Sequence, residues 1–196
     1  MKITKAQSLA NRAHIVETAS ELFRERGYDG VGIAELMTTA GFTQGGFYKH
    51  FGSKADLMAE AAEYSLQKSL NGAAGLDIPT LFQVYVSKNH RNGRRDGCTM
   101  AALCGDASRH SDELKSIFAG GIENTLSALE QAHKKSQDPH RQNARAEVIS
   151  LLAQAVGAII LSRACPDDSS LADEVLEVCR AQILASCSPS GEHTSV

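Results

Sequence analysis

Ile33-Ala-Glu-Leu-Met-Thr-Thr-Ala-Gly-Phe-Thr-Gln-Gly-Gly-Phe-Tyr-Lys-His-Phe-Gly-Ser-Lys54 is the stretch whose reading decides the fold. Ile33, Leu36, Met37 and Ala40 recur at helical spacing, and Gly41 breaks the run. Thr43 can cap a further helix that reaches about Phe51. This second helix has an odd make-up. Gln44, Gly45, Gly46, Tyr48, Lys49 and His50 are poor core residues, and each glycine costs about 1 kcal/mol in a helix interior. Close approach of a helix N-terminus to another surface is one reason to omit side chains. A DNA major groove is such a surface. Thr43 and Gln44 can bond base edges, and Tyr48, Lys49 and His50 can reach bases or phosphates. Phe47 and Phe51 are left to anchor the helix. Lys54, beside the free N–H groups of the next helix, suits a phosphate. An ordinary helical hairpin with a solvated polar face carries the same composition, so the pattern alone leaves both readings open.

Outward from this segment the periodicity stays helical. Ile15, Val16, Ala19, Leu22 and Phe23 form a stripe that ends at Gly27. Ser53-Lys-Ala-Asp56 reads as a capping box with Asp in place of Glu, opening a helix to about Leu70. Asn71–Gly75 is a breaker, and a boundary is expected near it. Asp77-Ile-Pro79 starts a helix through Val86, and Arg91–Gly97 reads as a polar loop. A short helix is expected over Met100–Ala107. Ser111 caps the next, and Asp138-Pro139 caps the one after. Val148, Leu151, Leu152, Ala155, Val156, Ile159 and Ile160 give the cleanest stripe, ended by Pro166. Ser170-x-x-Asp173 opens the last helix. The expected fold is all-α, with about nine helices: a three-helix helix-turn-helix domain followed by a helical bundle. By residue, the expectation is a flexible arm 1–8, a domain 9–55 with its helix-turn-helix at about 32–51, a helical domain 56–186, and a disordered tail 187–196.

Charge agrees with a local rather than a global nucleic-acid face. The net charge of the 196 residues is −3, but the first 14 hold Lys2, Lys5, Arg12 and His14 with no acid, and Leu36–Ala55 also lacks acids. No apolar run follows Lys5, and Ala153–Leu161 is too short to span a bilayer, so a cytoplasmic protein with no membrane partner is expected. Five widely spaced cysteines suit neither a disulfide framework nor a zinc site, and neither a metal nor a cofactor is expected.

From Arg12 to Leu57 the chain resembles the DNA-binding domain of TetR/AcrR-family repressors. The resemblance is carried by Ile15, Ala19, Leu22, Phe23 and Gly27-Tyr28. It continues through Ile33, Ala40-Gly41, Gly45-x-Phe47-Tyr48-x-His50-Phe51 and Ser53-Lys54-x-x-Leu57. It implies DNA contacts at Thr43, Gln44, Gly45, Gly46, Tyr48, Lys49, His50 and Lys54, a palindromic double-stranded operator, a homodimer, and a small-molecule effector that releases the DNA. Gly32 and Gly46 depart from the Ser or Thr usual there. By the same resemblance 9–55 is the DNA-binding domain, 56–186 is the effector-binding and dimerisation domain, and the last two helices form the dimer interface, with Leu152, Ala155, Val156, Ile159, Ile160, Val175, Val178 and Cys179 as candidates. Phe82, Tyr85, Val86, Met100, Leu103 and Phe118 are candidate lining residues of an apolar effector pocket, and plain core residues otherwise.

Gly97-Cys-Thr-Met-Ala-Ala-Leu-Cys104 raises a different signal. Cys98 sits at a loop-to-helix junction just after Arg94 and Arg95, where a thiolate is stabilised, so oxidation or alkylation at Cys98 or Cys104 is an alternative trigger. Two rivals lie outside regulation by DNA binding. One is an enzyme pairing either cysteine with His90 or His110, for which no glycine elbow or oxyanion signature speaks. The other is a helical interaction module.

Overall fold

The computed structural model describes residues 4–136 and 144–187, and the Asp138-Pro139 cap and the 188–196 part of the expected tail lie outside them. The described residues form nine α-helices and one 3-10 helix: α1 Lys5–Arg26, α2 Ile33–Thr39, the 3-10 helix Gln44–Lys49, α3 Lys54–Ala73, α4 Ile78–Tyr85, α5 Lys88–Asn92, α6 Thr99–Ala107, α7 Asp112–Ser136, α8 Ala144–Ala164 and α9 Ser170–Cys187. The fold is all-α, as the periodicity predicts.

Many helix starts follow local side-chain chemistry. Thr4 accepts from the Gln7 amide and opens α1, so residues 5–8, expected in a flexible arm, are helical. The Ser53–Asp56 box closes reciprocally: the Asp56 amide donates to Ser53 Oγ and the Ser53 amide to Asp56 Oδ2, both at 3.1 Å. Asp77 accepts from the Thr80 amide at 2.8 Å beside Pro79, and Ser111 accepts from the Leu114 amide. α5 is a departure, because the sequence there is polar and aperiodic. Tertiary bonds attend it: Arg163 of α8 donates to the carbonyls of Arg91 (2.9 Å) and His90 (3.0 Å). At the other end, α9 runs through Cys187, so the first residue of the expected tail is helical.

Packing divides the chain into two units, one from Met1–Gly72 with Gly93–Glu123 and one from Ala73–Asn92 with Asn124–Val196. The first unit is larger than the expected 9–55 domain. α3 buries Leu57, Met58, Ala61 and Ala62 in the same core as Ile15, Phe23, Met37 and Phe47, and Leu103, Ala107, Leu114 and Phe118 from α6 and α7 complete it. In the second unit α9 packs on α8 and α4. Ala155, Ile159, Leu176 and Ile183 are fully buried there. The Ser162 hydroxyl donates to the Ala172 carbonyl at 2.7 Å. With 21 residues and a mean hydropathy of 1.6 in its most apolar window, α8 is long and apolar enough to cross a bilayer by length and composition alone. Its packing against α9 accounts for one face of that apolarity.

Candidate nucleic-acid interface

The turn after α2 is fixed by backbone chemistry. Gly41 adopts φ +80, a region that L side chains rarely enter. The Gly41 amide donates to Thr38 O (3.0 Å) and the Phe42 amide to Met37 O (2.8 Å). This is the 5→2 and 6→1 pair of a Schellman motif, which satisfies the free carbonyls of α2 and turns the chain.

Thr43 then starts the expected recognition helix, but two details differ from the sequence reading. The segment is a 3-10 helix rather than α, and the Thr43 hydroxyl makes no cap; its carbonyl accepts from Gly46 at 2.9 Å instead. With two adjacent glycines in a six-residue run, the tighter i→i+3 bonds suffice. Phe47 is fully buried and Phe51 nearly so, with ring centroids 5.5 Å apart. These anchors turn the opposite side outward. Thr43, Gln44, Gly45, Tyr48 and Lys49 are exposed, Tyr48 to 68%; Gly46 and His50 are half-buried. A Cβ on Gly45 would meet nothing within 4 Å, and one on Gly46 only Met37 Cε at 3.6 Å and Thr43 Oγ1 at 3.9 Å. The fold itself therefore gives no reason for either glycine, which leaves an external surface as the reason.

Lys54, expected at a phosphate, is half-buried and already bonded within the protein. Its ammonium donates to the Tyr28 carbonyl at 2.6 Å and lies 6.0 Å from the Phe23 ring centroid. It ties the α1–α2 connection to the start of α3. Glu35 is the one acid in the quoted stretch, and Arg26 pairs with it.

The Gly27-Tyr28 step links α1 and α2 to α6. Gly27 has φ +76 and ψ 167. The Tyr28 amide donates to Asp106 Oδ2 at 3.2 Å, and Arg109 pairs with the same carboxylate at 2.9 Å. The Tyr28 ring is buried between Phe23 and His110, at 5.1 and 5.4 Å between centroids, and burial drives its hydroxyl pKa far up.

The other sequence candidates scatter. Met100, Leu103 and Phe118 are buried in the first unit and Phe82 and Val86 in the second, where Tyr85 is half-buried with its ring 4.3 Å from His90. Leu103 and Phe118 belong to the hydrophobic core of the first unit. Of the interface candidates, Ile160 (42%) and Val178 (50%) are exposed, and Leu152, Val156, Val175 and Cys179 are half-buried. Ala155 and Ile159 are corrections: both are fully buried inside the monomer. The stripe is too broad to tell its inner side from its outer side in one dimension. For the same reason the exposed Ile149, Leu161 and Leu171 escaped notice.

Cys98 is the half-buried N-cap of α6. Burial pushes the Cys104 thiol up to about 11, against reactivity. Arg95, expected beside Cys98, pairs with Glu21 at 2.9 Å. The sequence missed Arg24, which is buried and donates to the Arg95 carbonyl at 2.8 Å. His90 Nδ1 meets Tyr85 O at 2.6 Å, and burial lowers its pKa; His110 lies against the Tyr28 ring. Among the described residues, no three His, Cys, Asp or Glu side chains group as metal ligands.

Residues 15–61 match the family of bacterial regulatory proteins, tetR family. The HTH-type transcriptional repressor NemR of Escherichia coli K12 is 27% identical over 139 residues, 66% of this chain and 70% of that protein. The structure of the reduced form of E. coli NemR aligns at 22% identity with a TM-score of 0.73, covering 89% of this chain and 95% of that one. A TetR-family transcriptional regulator from Cytophaga hutchinsonii aligns with a TM-score of 0.74, 22% identity and coverage of 94% and 98%. These two likenesses establish a common fold.

Proposed function

We propose that this chain is a TetR-family regulator, a cytoplasmic homodimeric repressor that binds a palindromic operator and is released by a small-molecule effector. The observation that carries this reading is the exposed Thr43–Lys49 surface, which lacks acids and holds two glycines that the fold does not require. Thr43, Gln44 and Tyr48 face the base edges, Lys49 and His50 the flanking phosphates. One such helix reads only a few base pairs, so a second copy supplies the other half-site about 34–36 Å away.

The second copy docks on the outer side of α8 and α9. Ile149, Ile160, Leu161, Leu171 and Val178 are exposed on these two helices, and apolar side chains left outside on adjacent packed helices suit a helix-bundle partner. Leu152, Val156, Val175 and Cys179 border it. The effector acts on the part of the protein beyond the reading helix, by favouring a conformation whose two reading helices no longer match successive grooves; a coupling of about 1–3 kcal/mol is enough. Phe82, Tyr85 and Val86, all in the second unit, remain candidates for apolar contact with it.

The test is selection of bound duplexes from a random pool. Recovery of one palindrome supports the reading; recovery of unrelated sequences, all lost at higher salt, contradicts it. A thiol trigger at Cys98 or Cys104 is the second reading, and Cys98, the N-cap of α6, is the stronger candidate of the two. Native protein whose Cys98 resists small alkylating agents would rule it out.

A further inference from the structure

Arg12 stands in the acid-free N-terminal window, where a basic side chain is expected to face DNA. The side chain turns inward instead. Both terminal nitrogens bond the carboxylate of Glu60 on α3. Nε donates to the His50 carbonyl at 3.2 Å, and the guanidinium carbon lies 4.6 Å from the Phe51 ring centroid. His50 is the C-cap of the 3-10 helix, and Phe51 is its second anchor. One planar group from α1 thus clamps the end of the reading helix to α3. Only a guanidinium has a fork for a carboxylate, a third donor for a carbonyl and a flat face for a ring.

We infer that Arg12 is a positioning residue, held by Glu60, that fixes the angle at which Thr43–Lys49 is presented. The inference rests on the DNA-binding reading for its purpose, but its geometry can be tested without DNA. Removal of the Glu60 charge separates it from a charge-only role. If Arg12 served as a phosphate ligand, Glu60→Gln would free it and delete a repulsive charge, so DNA binding would tighten. If Arg12 positions the helix, the same change loosens binding.

Hydrogen exchange on the DNA-free protein comes first. The His50 and Phe51 amides, bonded to Phe47 O at 2.9 and 3.0 Å, are expected to exchange about tenfold faster in Glu60→Gln and Arg12→Gln, with α9 amides unchanged. Arg12→Lys keeps the charge but not the fork and is expected to behave like Arg12→Gln. Wild-type exchange in these variants overturns the inference whatever the protein binds. The second measurement uses the palindrome selected by the wild type. Glu60→Gln is expected to weaken it about tenfold with an unchanged salt slope. Tighter binding with a steeper slope, or no change, overturns the inference. If the wild type selects no sequence, the DNA reading fails by itself and the exchange result still decides the role of Arg12.

Discussion

Replacement of Gly27 by alanine attacks the joint between α1 and α6 in two separable ways. At φ +76 and ψ 167 the backbone lies in a region that is nearly exclusive to glycine, and an L residue held there costs on the order of 1–3 kcal/mol. The new Cβ would also stand 2.6 Å from Asp106 Oδ2. That carboxylate can swing away only by releasing the Tyr28 amide, which it accepts at 3.2 Å; loss of one such bond costs about 1 kcal/mol. Gly27→Ala should therefore destabilise by about 2–4 kcal/mol, read as a shift of the urea midpoint at constant slope. Asp106→Ala alone should cost about 1 kcal/mol in the wild type and almost nothing in the Gly27→Ala background, where the bond is already gone. Additive losses in this cycle, or a Gly27→Ala protein within about 0.5 kcal/mol of the wild type, would refute the reasoning.

Other expectations follow from single contacts. Lys54→Met keeps the aliphatic stem but loses the bond to Tyr28 O, so it should cost about 1 kcal/mol of stability and leave the salt slope of DNA binding unchanged; a slope reduced by about one unit would make Lys54 a phosphate ligand after all. The half-buried Cys104 thiol has its pKa raised from 9.0 to about 11. A group that is neutral when protonated and raised by folding stabilises fully below the unfolded value and loses that contribution as pH climbs toward the folded one. Stability should fall between pH 9.0 and about 11, and Cys104→Ala should remove that part of the fall. Sedimentation should find Ile160→Asp monomeric but folded, whereas Ile159→Ala should stay dimeric and lose about 2–5 kcal/mol to its internal cavity. The reverse pairing of outcomes would put the interface on the wrong side of α8.

Local chemistry was legible in the sequence; the orientation of broad faces was not. The Ser53–Asp56 box, the Asp77 and Ser111 caps and the Gly41 turn each depend on a few neighbouring residues, and the structure places each of them where the sequence does. Phe47 and Phe51 as anchors, and Tyr48 as an outward residue, also followed from composition. What the sequence did not show needed the third dimension. α5 has no pattern of its own and is met by Arg163. Lys54 and Arg12 look like surface cations until Tyr28 O, His50 O and Glu60 are brought beside them. Ala155 and Ile160 share one stripe, yet one is inside the monomer and the other outside. The role of α6 in holding Gly27-Tyr28 joins residues 78 positions apart in sequence, which no spacing rule reports.

The central claim is that Thr43–Lys49 reads sequence. The most direct measurement compares the affinity for the selected palindrome with that for a scrambled duplex, in the wild type and in Tyr48→Ala/Lys49→Ala, at one fixed salt concentration. A wild-type ratio of roughly 10³ or more that collapses toward one in the variant, with the variant still dimeric and folded, is the predicted result. A wild-type ratio near one, or a ratio that survives the double substitution, would contradict the claim.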